Sequence, residues 1–187
     1  LPKMLRQFGL IGYPLSHSFS KKYFSEKFIK EGIADAYYEL FPLPDIELLP
    51  ILLSRKTRLR GLNVTIPHKQ AIMPFLHRLD ESAARVGAVN VVKITPQGEY
   101  IGYNSDYYGF KISLENTLKQ ANLPLPKSAL ILGTGGASKA VAVALADLQI
   151  SFRHVSRTKK NDTDWLYEEI TSAIVNDNLL IVNILQA

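Results

Sequence analysis

The sequence predicts an α/β protein with mainly parallel sheets, built as two successive units. Three observations predict this. From Phe8 to Leu123, short apolar runs alternate with helix-compatible segments, the pattern of strand–helix–strand architecture. A stiff connector, "PLPK" (Pro124 to Lys127), then breaks the composition. After it, "ALIL" runs straight into a glycine-rich turn and a small-residue helix, "GTGGASKAVAVALADL", which opens a second α/β unit.

The elements follow in order. "FGLIG", Phe8 to Gly12, reads as a buried strand closed by a turn at Tyr13-Pro14. "SFSKKYFSEKFIKEG" reads as a helix, with Phe19, Tyr23, Phe24 and Phe28 along or near one stripe and Gly32 where a C-terminal cap belongs. "AYYELFP" is a second strand. "LPDIELLPILLSRK" is a second helix that Pro50 bends or divides. "GLNVTIP" is a third strand, since Leu62, Val64 and Ile66 alternate with Asn63 and Thr65, and Pro67 ends it. "HKQAIMPFLHRL" is read as a third helix, which places Lys69 in its first turn. There the macrodipole disfavours a cation by a few tenths of a kcal/mol up to about 1 kcal/mol. "AVNVVKI" and "YIGYNSD" flank a turn at "TPQGE" as a hairpin-like pair, and "YYGFKISLENTLKQANL" is a long helix. "SFRHVSRTKK" and "NLLIVN" read as later strands.

Composition narrows the function classes. The chain has 187 residues, 47% hydrophobic and 21% charged, and no cysteine, so disulfides and cysteine metal sites are excluded, which fits a reducing cytoplasm. No apolar run approaches the roughly 18 residues of a membrane span. The N-terminal stretch shows no small-residue cleavage site, so no signal peptide is expected. The net charge is +5, and its densest cluster is "SRKTRLR" (Ser54 to Arg60). Aromatics do not interleave with that cluster, so it reads as a solvated helix end rather than a nucleic-acid surface. The histidines lack metal-ligand spacing with carboxylates, and no metal is expected.

Two stretches carry chemistry. "NVTIPHK" sets two hydrogen-bonding side chains, Asn63 and Thr65, on one strand face, with Lys69 at the next turn. "GTGGAS" sets Gly133, Thr134, Gly135, Gly136 and Ala137 between a strand and a helix. That is close to a dinucleotide fingerprint, with Ser138 in its third glycine slot. Glycines there permit the tight turn and let backbone N–H groups reach a pyrophosphate at a helix N-terminus. The next strand ends in Ser156, Arg157 and Thr158, where a ribose-binding acid would select NAD. A guanidinium instead suits a 2′-phosphate, so the cofactor expected is NADP(H) in a Rossmann-like unit.

With "GYPLSHSFS", "GLNVTIPHK", "GAVNVV", "GYNSDYYGF", "GTGGASKA" and "SRT" in this order over about the first 160 residues, the chain resembles the shikimate dehydrogenase family of aromatic amino-acid biosynthesis. The resemblance implies reduction of 3-dehydroshikimate to shikimate with NADPH in the cytoplasm, by a monomer or homodimer with no nucleic-acid or membrane partner. It implies that Ser18 and Ser20 hold the substrate carboxylate, that Asn63 and Thr65 hold ring hydroxyls, and that Lys69 is the catalytic acid/base paired with Asp106. Asn90 joins the substrate ligands, and Glu81 is similar to an acidic residue near the cofactor. Ser18 and Asp106 also suit helix capping, which is compatible with ligand binding. His17 reads as structural or as supporting the site. Residues 1–106 are then the substrate-binding and catalytic domain, 107–123 a connecting helix and 124–183 the nucleotide-binding domain.

Several features depart from the family pattern. Ser105 and Tyr107 stand where threonine and glycine are usual, and Tyr107 is expected to narrow the cleft beside Asp106. Asn161 replaces a frequent basic residue, with Lys159 or Lys160 compensating. From Ala129 onward the chain is too short for a complete six-stranded dinucleotide domain. The expectation is that nicotinamide-side segments are missing. "ILQA" then resembles a C-terminal helix returning to the first domain, with residues 184–187 carrying Gln186 to the substrate. The alternatives are a quinate/shikimate dehydrogenase with broader substrate or NAD use and a non-catalytic relative that binds ligand without turnover.

Overall fold

A computed structural model of the chain describes residues 4–159 and 165–184. The chain divides into two compact units, Leu1–Asn104 and Ser105–Ala187. The α/β class with mainly parallel pairing is observed in both. Among the described residues no helix is long and apolar enough to cross a membrane.

In the first unit, β1 (Arg6–Gly12) is buried along most of its length because it lies between β2 (Ala36–Pro42) and β3 (Leu59–Val64), parallel to both. A strand covered on both faces needs the near-continuous apolar run that "FGLIG" supplies. The hairpin reading holds. β5 (Val91–Ile94) runs antiparallel to β3 and to β6 (Tyr100–Tyr103), and Gly98 with φ +84° lies in the connecting turn. A two-residue strand, β4 (Arg78–Leu79), completes the order β2-β1-β3-β5-β6-β4.

Helix α1 (Ser20–Lys30) covers one sheet face through Phe24 and Phe28, which pack with Phe8, Leu10, Tyr38 and Leu40. It ends as the sequence requires. Gly32 adopts φ +67°, its N–H donates to the Ile29 carbonyl, and the Ile33 N–H donates to the Phe28 carbonyl. This 6→1, 5→2 pair is a Schellman cap. The opposite face packs Ile11, Leu62, Val64, Ile72 and Val92 against Leu49, Leu52 and Leu53 of α2 (Leu49–Arg55). Pro50 does divide the second helical stretch. A single 3-10 turn, Ile46–Leu48, precedes α2, and Pro50 lies in its first turn, where a missing N–H costs nothing.

The stretch His68–Leu79 corrects the sequence reading. It forms turns, a short 3-10 segment at Met73–Phe75 and then β4, with no α-helix. Pro74 is the physical reason: inside an α-helix it would remove one ladder bond and clash with the preceding turn. Lys69 therefore stands in a turn, and the macrodipole plays no part in its setting. The true helix comes later, as α3 (Glu81–Val86), where Asp80 Oδ1 accepts from the Ser82 N–H at 2.9 Å and Gly87 closes the C-terminus at φ +67°.

In the second unit, α4 (Ser105–Gln120) precedes a four-stranded, wholly parallel sheet. Its strands are β7 (Ser128–Leu132), β8 (Ser151–Ser156), β9 (Trp165–Leu166) and β10 (Leu180–Asn183), in the order β10-β7-β8-β9. Helix α5 (Gly136–Asp147) follows β7, and α6 (Ser172–Asp177) precedes β10. Alanines let α5 lie close to the sheet. Val141 and Leu145 pack on Ala129 and Ile131, with Phe110 and Leu114 of α4 beside them. β10 is an outer strand among the described residues, with Leu179 and Ile181 exposed beside and within it.

Candidate active site

The first unit gathers its polar side chains at the C-terminal ends of β1 and β3, the end at which open parallel sheets bind ligands. β1 stops at Gly12, and the loop beyond it leads to Ser18 and Ser20. Both serines are half-buried, and Ser18 Oγ accepts from the Ser20 N–H at 3.3 Å, although the N-cap of α1 is Phe19, which makes no side-chain cap bond. β3 stops at Val64, and Thr65 follows with its N–H donating to the Ile11 carbonyl at 2.9 Å. A Cβ on Gly12 would stand 2.3 Å from Thr65 Cγ2, so a glycine is needed for the two strand ends to lie this close.

Backbone bonds tie the later residues to the same place. The Val64 N–H donates to the Asn90 carbonyl at 2.8 Å, and the Val89 N–H donates to the Lys69 carbonyl at 2.7 Å. The segment carrying Asn90 is thus clamped between the strand of Asn63 and the turn of Lys69. Asn90 is buried, whereas Asn63, Thr65 and Lys69 are half-buried. His68, next to Lys69, is buried and engages the Leu43 carbonyl through Nε2.

Sequence reasoning missed Tyr38. Its hydroxyl donates to Asn63 Oδ1 at 2.8 Å, and its ring stacks on Phe24 at 4.5 Å. Burial pushes the phenol far above its ordinary range, while a hydrogen bond with the Ser20 side chain works in the opposite sense. Tyr38 thus joins Ser20 to Asn63, two residues drawn from separate motifs. The available signal was weak. Alternation in "AYYELFP" puts Tyr38 and Leu40 on one face, but nothing marks one tyrosine of the pair as polar machinery. A cavity of about 290 Å³ lies beside this cluster, lined by Phe8, Phe24, Phe28, Tyr38, Asn63 and Lys93 among others. Of the expected ligands it includes only Asn63.

Asn104 was also missed. It is 1% exposed, its Nδ2 donates to the Ala88 carbonyl and its N–H donates to Ser82 Oγ. It thereby pins the chain just before Ser105 and Asp106. Asp106 is half-buried in the first turn of α4, in the second unit. Tyr107 corrects an expectation. It is buried, its hydroxyl donates to Asp147 Oδ2 at 2.5 Å and Lys111 stands 5.9 Å from its ring, so it is committed to packing between α4 and α5. Glu81 is exposed in the first turn of α3. Gln186 lies outside the described residues.

The glycine turn suits a dinucleotide. Gly133 takes φ +117°, a conformation that L side chains rarely adopt, and its N–H donates to the Val155 carbonyl at 2.8 Å. Gly135 starts α5 in open space: a Cβ there would meet nothing within 4 Å, leaving room for a phosphate against the helix N-terminus. Thr134 is half-buried, and Gly136 and Ala137 form the first helical residues. At the end of β8, Ser156 is buried with its hydroxyl on the Thr158 carbonyl, while Arg157 and Thr158 are exposed. Lys159 faces Glu169 at 3.9 Å, and Lys160 and Asn161 lie outside the described residues. Among the described residues no group of three or more His, Asp or Glu side chains could hold a metal ion.

Comparison with known proteins places the chain. The family described as the shikimate dehydrogenase substrate binding domain matches residues 10–92. A shikimate dehydrogenase (NADP(+)) of Staphylococcus aureus (strain bovine RF122 / ET3-1) is 39% identical over 164 residues, covering 85% of this chain and 58% of that protein. The chain therefore spans little more than half the length of this curated relative. Among solved structures, shikimate dehydrogenase 1 from Peptoclostridium difficile superposes with a TM-score of 0.75 at 28% identity, over 98% of this chain and 78% of that one. The shikimate 5-dehydrogenase of Thermus thermophilus, solved in complex with NADP(H) and shikimate, gives 0.72 at 30% identity, over 97% and 63%. The clustered polar residues of the first unit thus lie in a chain whose residues 10–92 match the shikimate dehydrogenase substrate binding domain, and which together with its glycine turn is similar to shikimate dehydrogenases.

Proposed function

We propose that this chain carries the catalytic and nucleotide-binding parts of an NADP-dependent shikimate dehydrogenase, which reduces 3-dehydroshikimate to shikimate. What supports this reading most is the backbone clamp that binds the turn of Lys69, the strand of Asn63 and Thr65, and the segment of Asn90 into one rigid polar group. Ser18 and Ser20 hold the substrate carboxylate, and Asn63, Thr65 and Asn90 hold its ring oxygens. Gly133 to Ala137 receive the pyrophosphate, and Ser156, Arg157 and Thr158 the 2′-phosphate. When bound, NADPH supplies the hydride for the ring carbonyl.

The chain's own residues manage the proton. Lys69 donates to the oxygen that becomes an alkoxide, and Asp106 is the carboxylate that the family resemblance assigns to support it. A positioned acid of this kind contributes roughly 10²- to 10⁴-fold to rate. Domain assignment follows the same reading: residues 1–106 bind substrate and carry the acid/base pair, 107–123 connect, and 124–183 bind nucleotide. The test is reduction of NADP⁺ by the purified protein with shikimate, followed by absorbance, with quinate and NAD⁺ run in parallel. Shikimate-dependent NADPH formation supports the reading. Binding of shikimate with no turnover replaces it with a ligand-binding role.

A further inference from the structure

We propose that Tyr38 fixes the polarity of Asn63, so that this position accepts only ligand atoms that can take a hydrogen bond. The inference rests on the reading of Asn63 as a ring-oxygen ligand and adds a specificity determinant to it.

Tyr38 is 3% exposed and held by its stack on Phe24, with ring planes 13° apart. Its hydroxyl oxygen is therefore held in place, and burial keeps the group protonated and able to donate. The acceptor it meets is Asn63 Oδ1 at 2.8 Å. A carboxamide has one acceptor end and one donor end, and they lie on opposite sides of the group. Committing Oδ1 to Tyr38 turns Nδ2 and its two N–H bonds the other way. Among the described residues the carboxamide has no other partner to oppose that orientation. Rotating it would make the hydroxyl, which also bonds the Ser20 side chain, accept from the NH₂ and would take from the phenol proton the acceptor it has in this structure, at a cost of about 1–3 kcal/mol where that proton is left unpaired.

A ligand on the Nδ2 side of Asn63 thus meets donors. A hydroxyl or carbonyl oxygen is accepted, and a protonated amine at the same ring position is refused, because it brings donors against donors. Tyr38 touches no reacting atom in this scheme and is a positioning residue.

The test is calorimetric binding of shikimate and of analogues in which one ring hydroxyl at a time is replaced by an amine, by the full chain. The wild type should refuse the amine at one position by about tenfold or more, as sites built around a hydrogen bond do. Tyr38→Phe should lose about three- to tenfold in shikimate affinity and narrow that discrimination. Asn63→Asp keeps an acceptor for Tyr38 but presents an acceptor to the ligand, so its preference should swing toward the amine. Circular dichroism and thermal midpoints confirm that each variant is folded. If Asn63→Ala abolishes shikimate binding while Tyr38→Phe and Asn63→Asp leave discrimination as in wild type, the proposal is overturned and the function stands. If Asn63→Ala binds shikimate normally, the reading of Asn63 fails and takes the proposal with it.

Discussion

His68 and Leu43 are joined by a 2.5 Å hydrogen bond from the ring Nε2 to the backbone carbonyl, with the histidine only 3% exposed. A carbonyl cannot donate, so Nε2 carries the proton. The bond anchors the residue immediately before Lys69, while the Val89 N–H holds the Lys69 carbonyl. A lysine side chain on so fixed a backbone can be aimed, which acid–base work requires. Lys69→Ala should cut turnover by roughly 10²- to 10⁴-fold while leaving NADPH affinity within about twofold. Steady-state kinetics together with fluorescence titration of NADPH check this, and near-normal turnover rejects the assignment.

Arg157 is exposed at the end of β8, where a planar guanidinium can meet a phosphate dianion with two parallel bonds. Arg157→Ala should weaken NADPH by about tenfold or more and leave NADH nearly unchanged. Affinities for both cofactors decide the point, and an equal loss for both reopens the choice between them.

Gly12 is the close-approach point of the first unit. A methyl group there would stand 2.3 Å from Thr65 Cγ2 and 2.9 Å from the Ile66 carbonyl oxygen. The second of these is backbone and cannot swing aside. Gly12→Ala should destabilise the protein by about 1–3 kcal/mol, the usual range for overpacking, and weaken shikimate through the displaced Thr65. Urea unfolding and calorimetric titration report the two effects separately.

Asp80 governs an acid-side dependence. Its carboxylate accepts from the Ser82 hydroxyl and N–H, and these bonds hold it below the usual carboxylate range. The unfolded chain therefore binds more protons than the folded one near the unfolded pKa of about 3.9. Stability from this group is present above that value and is lost as the pH falls through the folded pKa. Asp80→Ala should cost about 1 kcal/mol at neutral pH, as loss of a helix N-cap does. The gap between wild type and variant in urea unfolding should shrink as the pH is lowered below the unfolded value. A gap that stays constant contradicts the assignment.

Strand periodicity made most of the first sheet legible, because Leu62, Val64 and their partners alternate cleanly or run continuously apolar. The helix read over His68–Leu79 was wrong for a local reason: its composition suited a helix, but Pro74 outweighed it. Helix α3 escaped notice because six residues are under two turns and give no stripe, although Asp80 and Gly87 mark both its ends. Among the site residues, Asn63, Thr65, Lys69 and Asn90 were legible as motif members, and what the sequence lacked was the backbone clamp between them. Tyr38 was illegible because its importance comes from what it faces. Tyr107 was misjudged because adjacency to Asp106 says nothing of direction, and its ring is turned into the α4–α5 packing.

Among the described residues no strand lies on the side of β10 turned away from β7, and Leu179 is 84% and Ile181 47% exposed alongside. Another polypeptide laid there would gain ladder bonds and shed water from leucine and isoleucine at once. Concentrated preparations should therefore grow adhesive at this border, and a lysine in place of Ile181 is the smallest change that would keep the molecules apart.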